Sequence, residues 1–260
     1  MKMVVKIGGA ALDDAATVRR FAHAVVDLMH DGHRVVVVHG GGSVLSATLR
    51  ELGRETRFVD GLRVTDAATR DVAVMVLAGL VNKKLVAAIG AAGAPALGLC
   101  GGDLRVVMAK RKQAREDLGF VGDVTAVDAS WLERLAAQGA IPVVASVALG
   151  SDGEYYNVNA DEVASACAAA LKADALVFLT DVPGVCGADG AVLRSVDIAD
   201  VPSMVERTIV SGGMLPKLEA CNRAIRRGVR RVHILPAARA DELRLLTNGG
   251  VECGTEVVER

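Results

Sequence analysis

Residues 34–43 read RVVVVHGGGS. Four valines in succession, with no polar alternation, suit a strand buried on both faces, the kind found inside a parallel sheet. The run passes through His39 into Gly40, Gly41 and Gly42, a loop without bulky side chains that leads into a helix. Strand, glycine loop and helix form the winding unit of α/β sheets. The same unit stands at the N-terminus, where an apolar run at 3–7 ends in Gly8 and Gly9. Further Val/Ile-rich runs fall at 95–99, 141–145, 175–179 and 231–235. Between them, residues 17–29 place Val18, Phe21, Ala22, Val25 and Leu28 on one helical face, and Val163, Ala166, Cys167, Ala170 and Leu171 do the same farther on. Strands alternating with helices predict an α/β fold, a mainly parallel sheet covered on both faces. Two stretches break the rhythm: 57–64 reads as a hairpin turning at Asp60-Gly61, and 105–127 as an antiparallel ribbon over the sheet. No repeat or Ser/Pro-rich linker interrupts the 260 residues, so any division into lobes is a hinge within one body, placed near 172–175.

Composition narrows the function. The formal net charge is −1 and aromatic residues make up 3% of the chain. A balanced charge gives a polyanion nothing to hold, and few aromatic platforms exist for unpaired bases, so nucleic acid is not an expected partner. The five cysteines are odd in number and contain no CxxC pair, which fits a reduced, cytoplasmic protein with buried thiols. The apolar run at the start is too short for a signal peptide, and the uncharged stretch at 85–102 is broken by glycines and Pro95, so no membrane span is expected.

The chemistry should lie in loops at the carboxyl ends of the parallel strands. Gly8, Gly9, Gly40, Gly41 and Gly42 let backbone N–H groups approach an anion, each loop at the positive end of a helix. Tight turns alone would explain one glycine pair; two clusters after consecutive strands favour phosphate. Neither completes G-x-G-x-x-G, since position 45 is Leu, and no Gly-Lys pair exists for a P-loop. Dinucleotide oxidoreductases and P-loop NTPases are therefore disfavoured. Lys6 lies inside an apolar strand, where an unpaired ammonium is costly unless it emerges into an anion site. Lys217 follows Gly212, Gly213 and Pro216 at a predicted helix start, where the dipole repels a cation that has no anionic partner; a surface lysine is the plainer reading of it alone. In NVNADEVASA (157–166), Asn159 with Glu162 has the form of a capping box, which leaves Asn157 and Asp161 unexplained. In an extended segment residues 157, 159 and 161 point the same way. An acid at 161 could hold both lysines. His39 could touch a phosphate, although a structural role suits it better; Trp131 and Phe178 read as packing.

Taken in order, VVKIGGA, VVVVHGGG, DGLRVT, NVNADEVA, FLTDVPGV and SGGMLPK resemble the motifs of the amino acid kinase family, and within it the members that act on N-acetyl-L-glutamate. The resemblance covers essentially the whole chain. It implies a three-layer αβα sandwich with an open, mainly parallel eight-stranded sheet. Residues 1–173 would form a lobe for the acyl amino acid and the dimer contact, and 174–260 a lobe for ATP. It implies transfer of a phosphoryl group from Mg2+·ATP to the side-chain carboxylate, a step of arginine biosynthesis. By position, Lys6 and Lys217 match the lysines that neutralise the transferring group and Asp161 the acid that orients them. Gly8, Gly9, Gly41 and Gly42 match donors around the phosphoryl oxygens, Gly41 and Gly42 also serving the substrate. Arg63 matches the grip on the α-carboxylate, and Asn157 and Asn159 the contacts to the acetylamino acid. Thr180, Asp181, Val182, Pro183, Gly184, Val185 and Cys186 match the nucleotide loop, faced by Ile209, Val210 and Ser211. No resident metal site is implied, since the chain has no carboxylate cluster of its own.

Two rivals share the fold: a kinase for carrier-protein-linked aminoadipate or glutamate, and a catalytically silent sensor. The former tends to lack Gly42 and Asn159, and the latter would lack Lys6, Asp161 or Lys217; all are present. Arginine-inhibited hexameric members carry a helix ahead of the first strand, and here the strand begins at once. The expectation is an arginine-insensitive homodimer joined through the apolar helical stretch at 66–92.

Overall fold

The valine run becomes β2 (Arg34–His39), buried at every position after Arg34. It lies parallel to β1 (Lys2–Ile7) in a register that pairs Lys6 with Val38 and Ile7 with His39. Because the two strands end level, their glycine loops come to lie side by side. The computed structural model describes residues 1–248 and 253–260. Its main sheet adds β3 (Ala96–Leu99), β4 (Ile141–Ala145), β5 (Ala175–Thr180), β6 (Ser195–Asp197), β7 (Arg231–Pro236) and β8 (Thr255–Val258). The order is β6-β8-β7-β5-β1-β2-β4-β3. Six strands run parallel; β8 is antiparallel to β7, and β6 runs with β8. The six parallel strands are those the apolar runs predict. Strands β6 and β8, three and four residues long, carry too little pattern to be read from sequence.

Helices cover both faces. On one, α1 (Ala15–His30), capped by the Asp14 side chain, packs Phe21, Val25 and Leu28 against Met3, Val5, Val35 and Val37. The other receives α5 (Ala160–Ala170), whose Val163, Cys167 and Ala168 meet Val4, Val36 and Val38. Each fully buried Val or Leu contributes about 1.5–3 kcal/mol, which is why a strand with no polar face holds the centre. The shorter helices α2 (Gly42–Glu51), α4 (Ala129–Ala137) and α6 (Val201–Glu206) and the longer α7 (Met214–Arg226) complete the layers.

Residues Ala67–Ala91 form one helix, α3, which contains a π-helical segment at Val74–Val81. By length and composition alone α3 could cross a bilayer, with mean hydropathy 1.9, a point that the reading of 85–102 passed over. Its inner side is committed to the domain: Val72, Val76 and Leu77 pack on Leu45 and Leu49 of α2. Met75 and Leu80 face outward, as does Leu97 on the edge strand β3.

Above the sheet, strands at Val107–Arg111 and Gly122–Val127 pair antiparallel, as predicted for the ribbon, and Val147–Gly150 and Tyr155–Asn157 extend it. The predicted hairpin is present as well. Phe58 pairs with Arg63 across a turn in which Asp60 and Gly61 both adopt positive φ.

Candidate active site

The chain leaves β1 on one side toward β2 and returns on the other side through β5, so the end of β1 is a topological switch point. Lys6, one residue from that end, is buried to 8% exposure and places Nζ 2.8 Å from Asp161 Oδ1. Lys217, in the first turn of α7, donates to the other carboxylate oxygen, Oδ2, also at 2.8 Å. The two lysines, 211 positions apart (217 − 6), thus meet on one acid. Lys217 lies over the Phe178 ring, 5.4 Å from its centroid, so Phe178 is a cation–π platform as well as a packing residue.

Burial alone raises the Asp161 pKa. The two ammonium groups overcome that and hold the carboxyl at about 2, so it is ionised at neutral pH. Burial lowers the Lys6 pKa; Asp161 counteracts this, and Lys217 adds to the lowering. One carboxylate against two ammonium groups leaves a desolvated unit of excess positive charge, which an arriving anion can pair.

Asn159 is the N-cap of α5, its Oδ1 accepting from Asp161 N at 2.8 Å. The cap therefore fixes the backbone that carries the acid. Glu162 does not close the expected capping box; its Oε1 accepts from Val124 N at 2.7 Å and ties the ribbon to α5. Glycine is required at two points nearby. A Cβ at Gly8 would stand 2.7 Å from Lys6 Nζ, so a side chain there displaces the ammonium group. Gly41 has φ +152°, and a Cβ would meet Leu77 of α3 at 2.9 Å.

A cavity of about 430 Å³ opens beside Lys6 and Asp161; Lys217 does not line it and is joined to it through Asp161. Lys6, Gly8, Gly9, Gly41, Gly42, Asn157, Asn159 and Asp161 all line it, with Arg63. Arg63 Nη2 donates to Gly42 O (3.1 Å) and Ser46 Oγ (2.7 Å), while buried Nη1 has no partner. Burial lowers the Arg63 pKa. A desolvated guanidinium edge with one unused nitrogen suits a ligand carboxylate. Phe58 stacks on Arg63, 4.7 Å from the ring centroid to Cζ. Asn157 Nδ2 donates to Thr65 Oγ1 at 3.3 Å, and Thr65 Oγ1 donates to Arg63 O at 2.9 Å.

Four of these supporting residues escaped the sequence reading: Ser46, Phe58, Thr65 and cavity-lining Ser146. Only Phe58 had a legible signal, because a turn centred on Asp60-Gly61 sets 58 opposite 63.

The predicted nucleotide segment is arranged differently. Asp181, Val182 and Pro183 are exposed after β5, and Thr180 Oγ1 donates to Asp181 Oδ1 at 3.1 Å. A Cβ built at Gly9 would lie 3.9 Å from the Asp181 carboxylate, so this loop adjoins the first glycine loop. Gly184 and Val185 are buried, with Val185 N donating to Thr255 Oγ1 at 2.9 Å; Cys186 is half-buried. Val210 is buried in the core with Ile209 packed behind it, and Ser211 is exposed. Among the described residues, 180–186 and 209–211 contribute nothing to the 430 Å³ cavity. The side chains of Val185 and Val210 are buried in the core.

Among the described residues, no cluster of three His, Cys, Asp or Glu side chains is placed to hold a metal ion. Both oxygens of Asp161 are occupied by ammonium groups. The donor set does not fit a resident metal. The divalent cation required by a nucleotide-dependent kinase belongs with the nucleotide phosphates, as part of the substrate.

Residues 1–236 match the model of the amino acid kinase family. The chain belongs to that family. Among its relatives, a protein of Koribacter versatilis named acetylglutamate kinase is 57% identical over 258 residues, 99% of each chain. One of the same name from Acidobacterium capsulatum is 55% identical over 258 residues, again 99% of each. A solved structure from Streptococcus mutans UA159 superposes with TM-score 0.85 at 29% identity, covering 100% of this chain and 99% of that one. The eight-stranded sheet and its covering helices are thus the amino acid kinase fold, with the Lys6–Asp161–Lys217 cluster at its switch point.

Proposed function

We propose that this kinase phosphorylates the side-chain carboxylate of N-acetyl-L-glutamate with ATP, giving N-acetyl-L-glutamyl 5-phosphate for arginine biosynthesis. One observation carries the reading: two ammonium groups share a single buried carboxylate at 2.8 Å each, beside a cavity lined by both glycine loops and by an unpaired Arg63 nitrogen. The names of the relatives support the same substrate.

A carboxylate oxygen attacks the terminal phosphorus of ATP, the bond from phosphorus to the bridging oxygen breaks, and ADP leaves with that oxygen. The nucleophile is already an anion, so no general base is needed. The difficulty is bringing two anions together and stabilising charge that spreads over the transferring oxygens. Lys6 and Lys217 supply the countercharge, and N–H groups of Gly8, Gly9, Gly41 and Gly42 supply donors that need no reorganisation. Asp161 holds the ammonium groups apart and aimed. Arg63, Asn157 and Asn159 place the acyl amino acid, and residues 180–186 with 209–211 carry the nucleotide. We assign Mg2+ as the cation that accompanies ATP. Residues 1–173 form the acceptor lobe and 174–260 the nucleotide lobe.

A second copy of the chain covers the outward side of α3, where Met75 and Leu80 are exposed, as Leu97 is on the edge strand β3. Sedimentation velocity should report a dimer that Met75→Glu with Leu80→Glu disrupts; an unchanged dimer would place the contact elsewhere. Five free cysteines suit the cytoplasm as the place of work.

The test of the reaction is ADP release coupled to hydroxylamine capture of the acyl phosphate, run with N-acetyl-L-glutamate, L-glutamate and N-acetyl-aminoadipate. Hydroxamate from the first substrate alone is expected. None from any of them would leave a binding protein on a kinase fold.

A further inference from the structure

His39 is fully buried at the last position of β2, directly before the glycine loop. Its Nδ1 lies 2.8 Å from the carbonyl oxygen of Gly40, and its Nε2 lies 3.0 Å from Nδ2 of Asn82. A carbonyl can only accept, so Nδ1 carries the proton. Asn82 is also fully buried, and its Nδ2 donates to Val143 O at 2.9 Å, while its Oδ1 accepts from Lys83 Nζ at 3.3 Å. These partners admit one amide orientation, and in it Asn82 donates to Nε2. Every hydrogen of the pair is therefore assigned: Asn82 fixes the tautomer of His39, and His39 holds Gly40 O. Burial presses the imidazole toward neutrality, with its pKa lowered to about 4, so Nε2 stays an acceptor across the neutral range.

The consequence lies in the peptide that follows. Among the described residues no peptide bond is cis, so the carbonyl of Gly40 and the N–H of Gly41 point in opposite directions. With Gly40 O turned inward to the histidine, Gly41 N–H turns outward, away from the core. Gly41 is the N-cap of α2, so the helix itself offers that N–H no acceptor, and the residue lines the cavity beside Lys6. A glycine pair left alone can rotate this peptide at little cost. The surrounding packing shows that the pair is built in. Asn82 directly follows the π segment of α3, whose Leu77 and Val81 press on Gly41. Gly98 of β3 leaves room for the amide, since a Cβ there would lie 1.8 Å from Asn82 Oδ1.

We infer that His39, locked by Asn82, is a positioning residue that sets the Gly40–Gly41 peptide and so aims the Gly41 N–H at the transferring phosphoryl group. The inference rests on the kinase reading above, and two isosteric variants separate it from packing. In His39→Asn the side-chain Nδ2 takes the place of Nδ1 and can still donate to Gly40 O, while the contact to Asn82 is lost. In His39→Gln the side-chain amide reaches Asn82 and lacks the donor at the Nδ1 position.

The experiment measures kcat, both KM values and Tm for each variant, with ¹⁵N NMR of the His39 ring in the unmodified protein at pH 7. Expected are a protonated Nδ1 with a bare Nε2, a fall in kcat of about 100-fold in His39→Gln with KM nearly unchanged, and recovery of most of that loss in His39→Asn. A kcat for His39→Gln within threefold of the unmodified enzyme, equal losses in both variants that follow Tm, or an Nε2–H tautomer would each overturn the inference. If the unmodified enzyme forms no acyl phosphate, the reaction assignment fails, while the tautomer still tests the hydrogen-bond pair.

Discussion

The two halves of the site are built on opposite plans. The half proposed to take the acceptor is a buried polar frame: Arg63, Thr65 and Asn157 are linked by hydrogen bonds that reach Gly42 O, and His39 with Asn82 holds Gly40 O. On the side proposed for the nucleotide, a short loop at 181–183 stands exposed, and Val185 and Val210 are buried in the core. The difference suits the ligands proposed for the two halves. A small acyl amino acid offers few groups, so each must be met by a side chain fixed in advance. A nucleotide brings its own charges and its own cation, and backbone amides at helix ends suffice for much of it. The Lys6–Asp161–Lys217 cluster is the seam between them.

Several experiments can break or sharpen this contrast. Substitution at the seam should have the largest effect. Lys6→Ala or Lys217→Ala should fold and lose about 100- to 1,000-fold in kcat, about 3–4 kcal/mol; near-normal turnover in either would remove it from the chemistry.

The buried frame should also announce itself through pH. His39 titrates near 6.5 when unfolded and about 4 when folded, because burial opposes its charge. Above pH 6.5 neither state binds that proton and stability is complete; as pH falls toward 4 the unfolded chain gains a proton that the folded one refuses, and stability drops. The loss from this group approaches about 3 kcal/mol. Denaturant melts between pH 7 and 4 should show this slope, and His39→Asn should flatten it. A slope unchanged by the substitution would assign it to other groups.

Arg63→Ala should act on binding, raising KM for the acyl amino acid by about 10- to 100-fold with kcat less affected, as for a group that holds a remote carboxylate. Equal falls in kcat with KM constant would move Arg63 into the transition state. The smallest effect belongs to the exposed loop, whose proposed hold on the nucleotide is through its backbone: Val182→Ala keeps that backbone and should change KM for ATP by no more than about threefold and leave Tm within about 2 °C. A large loss there would show that the nucleotide half is as pre-built as the acceptor half.

Much of this was legible in the chain. Uninterrupted valine runs can only be satisfied inside a sheet covered on both faces, and glycines at their ends can only mark tight, open loops; local sterics and burial determine both. Lys6 and Lys217 stood out because each is costly where its neighbours place it, and Asp161 because helix capping left it unexplained. The short strands β6 and β8 left no such trace, since three or four residues cannot establish a period.

What the tertiary structure alone decided is which distant groups meet. The register of β1 against β2 brings the glycine loops level, and the packing of α5 against both β1 and α7 delivers two ammonium groups to one carboxylate. Asn82 and Gly98 carry no sequence signal, because a buried amide and the space that admits it acquire meaning only when α3, β3 and β2 are packed together. Periodicity reports what a residue needs from solvent, whereas a hydrogen-bond partner is chosen by three-dimensional proximity.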